Sequence, residues 1–197
     1  DLSIILPEIF LSLYAMFALM GAVYSSKDKI AQRVTWLTAV IFILLAFWMI
    51  FSEAKTEIAF DGMFINDAFS RFSKIVILFS GSVVLIMGQD YMSRRGFLRF
   101  EYPLIIALSV VGMMVMVSAG DLMALYMGLE LQSLALYVVA AFKRDSLRST
   151  EAGLKYFVLG ALSSGLLLYG SALTYGYSGT TLFNGILENV NGTAPAL

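Results

Sequence analysis

One acidic residue lies in the middle of a long apolar segment. Glu130 falls between Leu122 and Phe142, and that segment contains no other Asp, Glu, Lys or Arg. At about 1.5 Å per helical residue, Glu130 lies roughly 12 Å from one end and 18 Å from the other, near the middle of a bilayer. An ionised acid at that depth costs about 2.5–3.5 kcal/mol, and such residues mark proton or ion pathways. Glu130 is therefore predicted to be a proton site, in preference to a helix-packing acid.

A lysine lies near the start of the next apolar segment. Lys155 follows Thr150 by five residues, which places it roughly 7 Å into the predicted helix. Taken alone, it fits a lysine whose stem snorkels to the interface. A short loop joins it to Glu130, and the two depths differ by roughly 10 Å. A lysine stem with one or two waters would bridge that gap, so Lys155 is the predicted modulator of Glu130.

The remaining polar residues give weaker signals. Several follow Glu130 or lie along the next segment, where helix packing is favoured over a water chain: Gln132, Ser133, Ser163, Ser164, Tyr169, Ser171 and Thr174. Three of the small residues there are expected to form helix contacts: Gly160, Ser164 and Gly165. Charges near the segment ends are expected to lie in solvent or among lipid headgroups: Glu8, Asp67, Arg71, Lys74, Asp90 and Asp121.

The elements that position these residues follow from the composition. Of 197 residues, 59% are hydrophobic and 14% charged, against about 25% charged in a soluble domain. Stretches of about 20 apolar residues predict six spanning helices in one membrane domain covering 1–197. Their ranges are 2–24, 34–52, 68–89, 102–119, 122–142 and 151–175. The predicted fold class is an all-α polytopic membrane protein, because the alternating pattern of barrel strands is absent.

The connections between helices are short, with one exception. The loop 53–67 contains the turn signal Asp61-Gly62 between two apolar triplets, which predicts a small hairpin on the outer surface. Residues 118–121 form a bare turn, so the fourth and fifth helices are predicted to be tight antiparallel neighbours. The tail 178–197 is polar and rich in Gly and Asn, and is predicted to be loop.

Basic residues set the predicted orientation. The loops after the first, third and fifth helices hold most of the 13 Lys and Arg residues: Lys27, Lys29, Arg33, Arg94, Arg95, Arg99, Lys143, Arg144 and Arg148. Positive loops stay in the cytoplasm. The odd-numbered loops are therefore predicted to be cytoplasmic and the N-terminus to lie outside. The chain starts with acidic residues and has no cleavage motif, so a signal peptide is not expected.

Composition also excludes several kinds of chemistry. The chain contains no His and no Cys, which argues against an iron–sulfur cluster, a zinc finger or a disulfide framework of its own. The net charge of −1 provides no basic surface for nucleic acid. No cofactor or metal site is expected in this chain, and its predicted partners are the lipid bilayer and other membrane subunits.

Four stretches together resemble the antiporter-like membrane subunits of respiratory complex I, and among them the subunit N family. Residues 128–137 (GLELQSLALY) resemble the fifth helix of that family, and 149–157 (STEAGLKYF) resemble the start of its sixth. Residues 103–118 and 67–72 (DAFSRF) resemble its fourth helix and the approach to its third. The resemblance covers essentially the whole chain.

The resemblance implies a fold and a function. The chain would be the N-terminal part of a fold of about fourteen helices with two inverted five-helix repeats, and would lack the broken seventh helix and second repeat. Glu130 and Lys155 match the family's fifth-helix glutamate and sixth-helix lysine, which implies a proton-translocating subunit of NADH:quinone oxidoreductase in a bacterial inner membrane. FMN, iron–sulfur clusters and quinone would then belong to partner subunits of a hetero-oligomer.

Two other functions fit the same residues. A subunit of a multi-subunit cation/proton antiporter shares the pattern of Glu130 and Lys155. In a non-transporting structural membrane subunit, Glu130 would serve helix packing alone. Loss of NADH-driven pumping, loss of salt tolerance, or neither, would separate the three.

Overall fold

The described part of the chain folds into six long helices, one short helix and a two-stranded hairpin. The computed structural model describes residues 2–24, 27–52 and 56–192, with the backbone alone for 27–29. In chain order the elements are α1 (Leu6–Val23), α2 (Lys27–Phe51), β1 (Glu57–Ala59), a 3₁₀ turn (Phe60–Gly62), β2 (Phe64–Asn66), α3 (Ala68–Arg94), α4 (Glu101–Val117), α5 (Leu122–Ala140), α6 (Leu147–Ser178) and α7 (Phe183–Val190).

The predicted all-α membrane fold is confirmed. In the described part of the chain, five helices are long and apolar enough to cross a membrane, and α4 is a 17-residue apolar helix. The helices α2, α3 and α6 continue beyond their predicted apolar spans. Their extra residues are mostly polar, and helical hydrogen bonding continues past the apolar limit because these ends do not need to lie in lipid.

The prediction that 178–197 is loop is wrong for its middle part. The helix α7 has apolar side chains at helical spacing (Phe183, Ile186, Leu187 and Val190), so one face is apolar although the segment as a whole is polar. Asn189 Nδ2 donates to the carbonyl groups of Ser178 and Gly185, each at 3.0 Å, and ties α7 to the end of α6. Residues 193–197 of the predicted tail lie outside the described residues.

The most buried helix is α4. It packs against α1, α2, α3 and α5. Its apolar side chains contribute Ile106, Val110 and Met114 to a core that also includes Leu11 of α1 and Phe42 of α2. The helix α5, which carries Glu130, therefore packs on a helix that is itself held in place by three others.

The contact between α4 and α5 depends on two glycines. A Cβ atom added to Gly112 would lie 2.6 Å from the backbone nitrogen of Gln132, and one added to Gly128 would lie 2.7 Å from that of Met116. Such distances leave no room for a side chain, so the two backbones touch. The prediction that these helices are tight neighbours is confirmed.

Three segments join by backbone hydrogen bonds at one end of the bundle, and we call them the hairpin cap (57–66, 118–121 and 181–183). The predicted hairpin is confirmed, with Ile58 opposite Ile65 in an antiparallel pair. Its second strand bonds the α4–α5 turn, from Ile65 N to Ser118 O at 2.8 Å. On the other side of that turn, Leu122 N donates to Thr181 O at 3.0 Å. Residues 53–55 of the predicted loop 53–67 lie outside the described residues.

Replacement of Gly128 by alanine should destabilise the bundle. The new methyl group would meet backbone atoms of α4, which cannot move aside alone, so we expect a loss of about 1–3 kcal/mol. Thermal unfolding of the detergent-solubilised protein measures this loss. Gly21→Ala is the matched control, since nothing lies within 4 Å of its added Cβ. Equal melting temperatures for the two variants would contradict the proposed backbone contact.

The start of α3 is fixed by a capping box. Ser70 N donates to Asp67 Oδ1 at 2.7 Å, and Asp67 N donates to Ser70 Oγ at 2.9 Å. The hydrogen bond from the Ser70 backbone holds the pKa of Asp67 below its ordinary value of 3.8. The sequence predicts only that Asp67 lies in solvent or among lipid headgroups, and it does not predict this capping contact.

The capping box of Asp67 and Ser70 should contribute stability that depends on pH. Because the folded-state pKa of Asp67 is lowered, its contribution is fully present above its ordinary value of 3.8 and is lost as the pH falls through the folded-state value. Asp67→Ala should cost about 1 kcal/mol at neutral pH. Unfolding measured against pH should show the difference between wild type and Asp67→Ala shrinking in acid. Asp67→Asn, which retains a capping oxygen that does not titrate, should show a smaller dependence on pH.

Candidate functional site

The helix α5 presents two different faces to its neighbours. Gly128 faces α4, and Glu130 is two residues further, which is about 200° around the helix. Glu130 therefore points away from α4 and towards α6. Tyr126 and Tyr137 are spaced four residues before and seven after Glu130, so they lie on the same face as Glu130.

A chain of hydroxyl groups ends at the Glu130 carboxyl group. Ser164 Oγ on α6 donates a hydrogen bond to Glu130 Oε1, across the interface between the two helices. Tyr126 Oη lies 3.0 Å from Ser164 Oγ. Because Ser164 has a single hydroxyl hydrogen and gives it to Glu130, Tyr126 is the donor to Ser164. The three groups form one directed chain of two hydrogen bonds inside the membrane-spanning region.

Small residues bring α6 close enough to α5 for this chain to form. Gly153 packs on Ala141 and Gly160 packs on the Tyr137 hydroxyl, with no space for a Cβ at either glycine. Ser164 lies one turn beyond Gly160 on the same face of α6. The expected helix contacts at Gly160 and Ser164 are confirmed, whereas nothing lies within 4 Å of a Cβ added to Gly165.

Lys155 does not lie beside Glu130. Lys155 Nζ forms an ion pair with Glu151 Oε1 at 2.6 Å, and its side chain is 71% exposed. Lys155 precedes Ser164 by nine residues, which is two and a half turns, so the two side chains leave opposite faces of α6 about 13 Å apart along its axis. The expected bridge of a lysine stem with one or two waters to Glu130 does not match this geometry.

Comparison with known proteins relates this arrangement to one family. Residues 119–196, which contain Glu130, Ser164 and Lys155, match the family described as NADH:quinone oxidoreductase/Mrp antiporter, TM. NADH-quinone oxidoreductase subunit N of Jannaschia sp. (strain CCS1) is 65% identical over 192 residues, which cover 98% of this chain and 40% of that protein. Subunit N of Rhodobacter capsulatus is 60% identical over 190 residues, covering 96% of this chain and 40% of that protein.

The chain belongs to the subunit N family of NADH–quinone oxidoreductase. It spans about 40% of the length of the curated relatives it matches. Respiratory complex I from Thermus thermophilus with bound Aureothin contains a chain of the same fold, with a TM-score of 0.73 and 26% sequence identity. That match covers 89% of this chain and 38% of the other. The resemblance inferred from the sequence is confirmed.

A second charged site lies at residues that the sequence predicts to lie in solvent or among lipid headgroups. Lys74 Nζ of α3 contacts Glu8 Oε1 of α1 at 2.7 Å, and the side chains are only 1% and 3% exposed. Asp121 is also buried. Its Oδ1 caps α5 by accepting hydrogen bonds from Met123 N and Ala124 N. The prediction of solvent or headgroup positions is wrong for Glu8, Lys74 and Asp121. It is confirmed for Asp90, whose carboxylate pairs with Arg94 in solvent.

The site around Glu130 contains one residue, Tyr126, that was not predicted from the sequence and one, Ser164, that was predicted to serve packing. Tyr126 was missed, although its position one turn before Glu130 is a signal that it shares that face. Ser164 was assigned to packing, and it is the direct partner of Glu130. Within residues 2–24, 27–52 and 56–192, no three His, Cys, Asp or Glu side chains are grouped to hold a metal ion.

Removal of the Ser164 hydroxyl group should shift the infrared band of the Glu130 carboxyl group. Ser164→Ala leaves the Glu130 carboxyl group without its hydrogen-bond donor, and a typical intramolecular hydrogen bond contributes about 0.5–1.5 kcal/mol. Infrared difference spectra between wild type and Glu130→Gln isolate the carboxyl band, which should shift in the Ser164→Ala background. Ser163→Ala, one residue away and exposed, is the control and should leave the band in place. A band unchanged by Ser164→Ala would exclude the hydrogen bond.

Proposed function

We propose that this chain provides a proton site to the membrane arm of a proton-translocating NADH:quinone oxidoreductase, with Glu130 as the group that binds and releases the proton. The observation that carries the proposal is the hydrogen bond from Ser164 to the Glu130 carboxyl group inside the span α5. Membership of the subunit N family supports the assignment. An intramembrane acid with a hydroxyl partner is typical of proton relays.

The hydroxyl chain supports transfer in both directions. With Glu130 ionised, Tyr126 donates to Ser164 and Ser164 donates to Glu130. When Glu130 binds a proton, it becomes the donor to Ser164 Oγ, and Ser164 can then donate to Tyr126 Oη. The Tyr126 hydroxyl group keeps its own hydrogen and turns it away from Ser164. Reversal needs only rotation of two hydroxyl groups, so Glu130 can change its charge without moving α5.

In this proposal Lys155 modulates Glu130 through space. Two unit charges about 15 Å apart interact by ~1 kcal/mol at an effective dielectric constant of about 20. Glu151, in contact with Lys155 at 2.6 Å, cancels most of that field while the ion pair is closed. The effect of Lys155 on Glu130 is therefore largest when the pair opens, and it is smaller than the effect of the direct donor Ser164.

The complex that we propose for this chain is hetero-oligomeric. Oxidation of NADH, with FMN, iron–sulfur clusters and quinone, belongs to partner subunits, and this chain contacts other subunits of the membrane arm. We place it in a bacterial inner membrane with the basic loops after α1, α3 and α5 in the cytoplasm and the N-terminus outside. The distribution of Lys and Arg supports that orientation.

The other two functions receive less support. Identity of 65% to subunit N favours the oxidoreductase over a cation/proton antiporter. If Glu130 served packing alone in a structural subunit, the second hydroxyl group of the hydrogen-bond chain, that of Tyr126, would have no role. Deletion of this chain should therefore abolish NADH-driven pumping and have a smaller effect on salt tolerance.

Glu130→Gln tests the proposal in the assembled complex. Glutamine accepts the Ser164 hydrogen bond but does not titrate, so assembly should persist while NADH-driven proton translocation into membrane vesicles falls at least about tenfold. Lys155→Ala should lower it about fivefold or less, consistent with a contribution of ~1 kcal/mol. Asp90→Asn, which alters an exposed surface acid, is the control and should pump normally. Full assembly with full pumping in Glu130→Gln would favour the structural role.

A further inference from the structure

The buried ion pair of Glu8 and Lys74 takes no part in the hydroxyl chain of Glu130. The two residues lie within one and two turns of the starts of α1 and α3, at the end of the bundle that carries the hairpin cap. Lys74 Nζ also lies 4.7 Å from the centre of the Phe64 ring in β2. One charge pair thus connects α1, α3 and the hairpin.

The hydrogen-bonding capacity of this pair is only partly used. Lys74 contacts Glu8 Oε1, whereas Glu8 Oε2 accepts no hydrogen bond from the described part of the chain. Asn66 Oδ1 in β2 is likewise buried without a hydrogen-bond donor among the described residues. A buried ion pair is stable only when further hydrogen bonds satisfy its remaining lone pairs. Such groups in native proteins commonly bind water.

A cavity of about 170 Å³ lies beside the pair. Its lining is mainly polar and includes the side chains of Ser52, Glu57, Asn66, Arg71 and Lys74. Pro7, the neighbour of Glu8, and Met49 of α2 also line it. At about 30 Å³ per molecule, the volume holds roughly five waters. The cavity is therefore large and polar enough for water, and it reaches one member of the ion pair directly.

We propose that this cavity holds a cluster of ordered water molecules, which enter from the hairpin side and solvate the Glu8–Lys74 pair inside the membrane-spanning region. Among the described residues, the charged groups that face it are Glu57 from β1, Arg71 and Lys74 from α3, and Glu8 through its contact with Lys74. Their formal charges balance, so the site favours neutral water over an ionic ligand. Hydration satisfies the remaining hydrogen-bonding capacity of the pair, which connects α1 to α3.

Radiolytic hydroxyl-radical footprinting of the intact wild-type complex tests this proposal, because radicals form where water is bound. Met49 lines the cavity and Met92 lies elsewhere in the core, and the two are almost equally shielded, at 5% and 6% exposed. Methionine is readily oxidised to the sulfoxide, so we expect Met49 to be oxidised about tenfold faster than Met92. Equal rates for the two would show a dry cavity and overturn the proposal.

A substitution at the cavity wall provides the second measurement. Asn66→Leu replaces a polar lining side chain with an apolar one and should slow Met49 oxidation about threefold, with Met92 unchanged. Asn66→Asp, which keeps the wall polar, should retain the fast rate. An Asn66→Leu variant that oxidises at the wild-type rate would also overturn the proposal. These readouts involve neither Glu130 nor Ser164, so their failure would leave the proposed proton site intact.

Discussion

The backbone contact between α4 and α5 determines the direction in which Glu130 points. Gly112 and Gly128 allow the two helices to touch without side chains between them, and this fixes the rotation of α5 about its own axis. A residue two positions after Gly128 must then face the opposite side, where α6 lies. Since α4 is held by α1, α2 and α3, the orientation of the carboxyl group depends on helices that never contact it.

The hairpin cap sets the position of α6 along α5. The α4–α5 turn donates and accepts backbone hydrogen bonds with the segment after α6, from Leu122 N to Thr181 O and from Phe183 N to Gly120 O. These bonds fix the start of α5 and the end of α6 relative to each other. Together with the packing of Gly160 on Tyr137, they place Ser164 at the depth of Glu130. The hydrogen bond thus follows from contacts at both ends of the helix pair.

Hydropathy and spacing predict the six helices and the hairpin because both depend on local patterns. They do not predict the partner of Glu130, since that depends on how far α6 slides along α5. A hairpin symmetric about the loop 141–146 would place Phe157 opposite Glu130, whereas Ser164, about two turns further, occupies that position. The burial of Glu8 and Lys74 is missed for a related reason: hydropathy indicates depth in the membrane, and only packing indicates a partner.

The acids Glu8 and Glu130 are compensated in different ways, and the difference suits different roles. Glu8 is paired with Lys74, so its protonation would leave a buried ammonium group without its counter-ion, which is a large penalty. Glu130 is bonded to a neutral hydroxyl, which can accept a hydrogen bond as readily as donate one. Its protonation therefore leaves no charge uncompensated. An acid that must exchange protons needs neutral partners of this kind, whereas an acid that fastens helices together is better served by a fixed opposite charge.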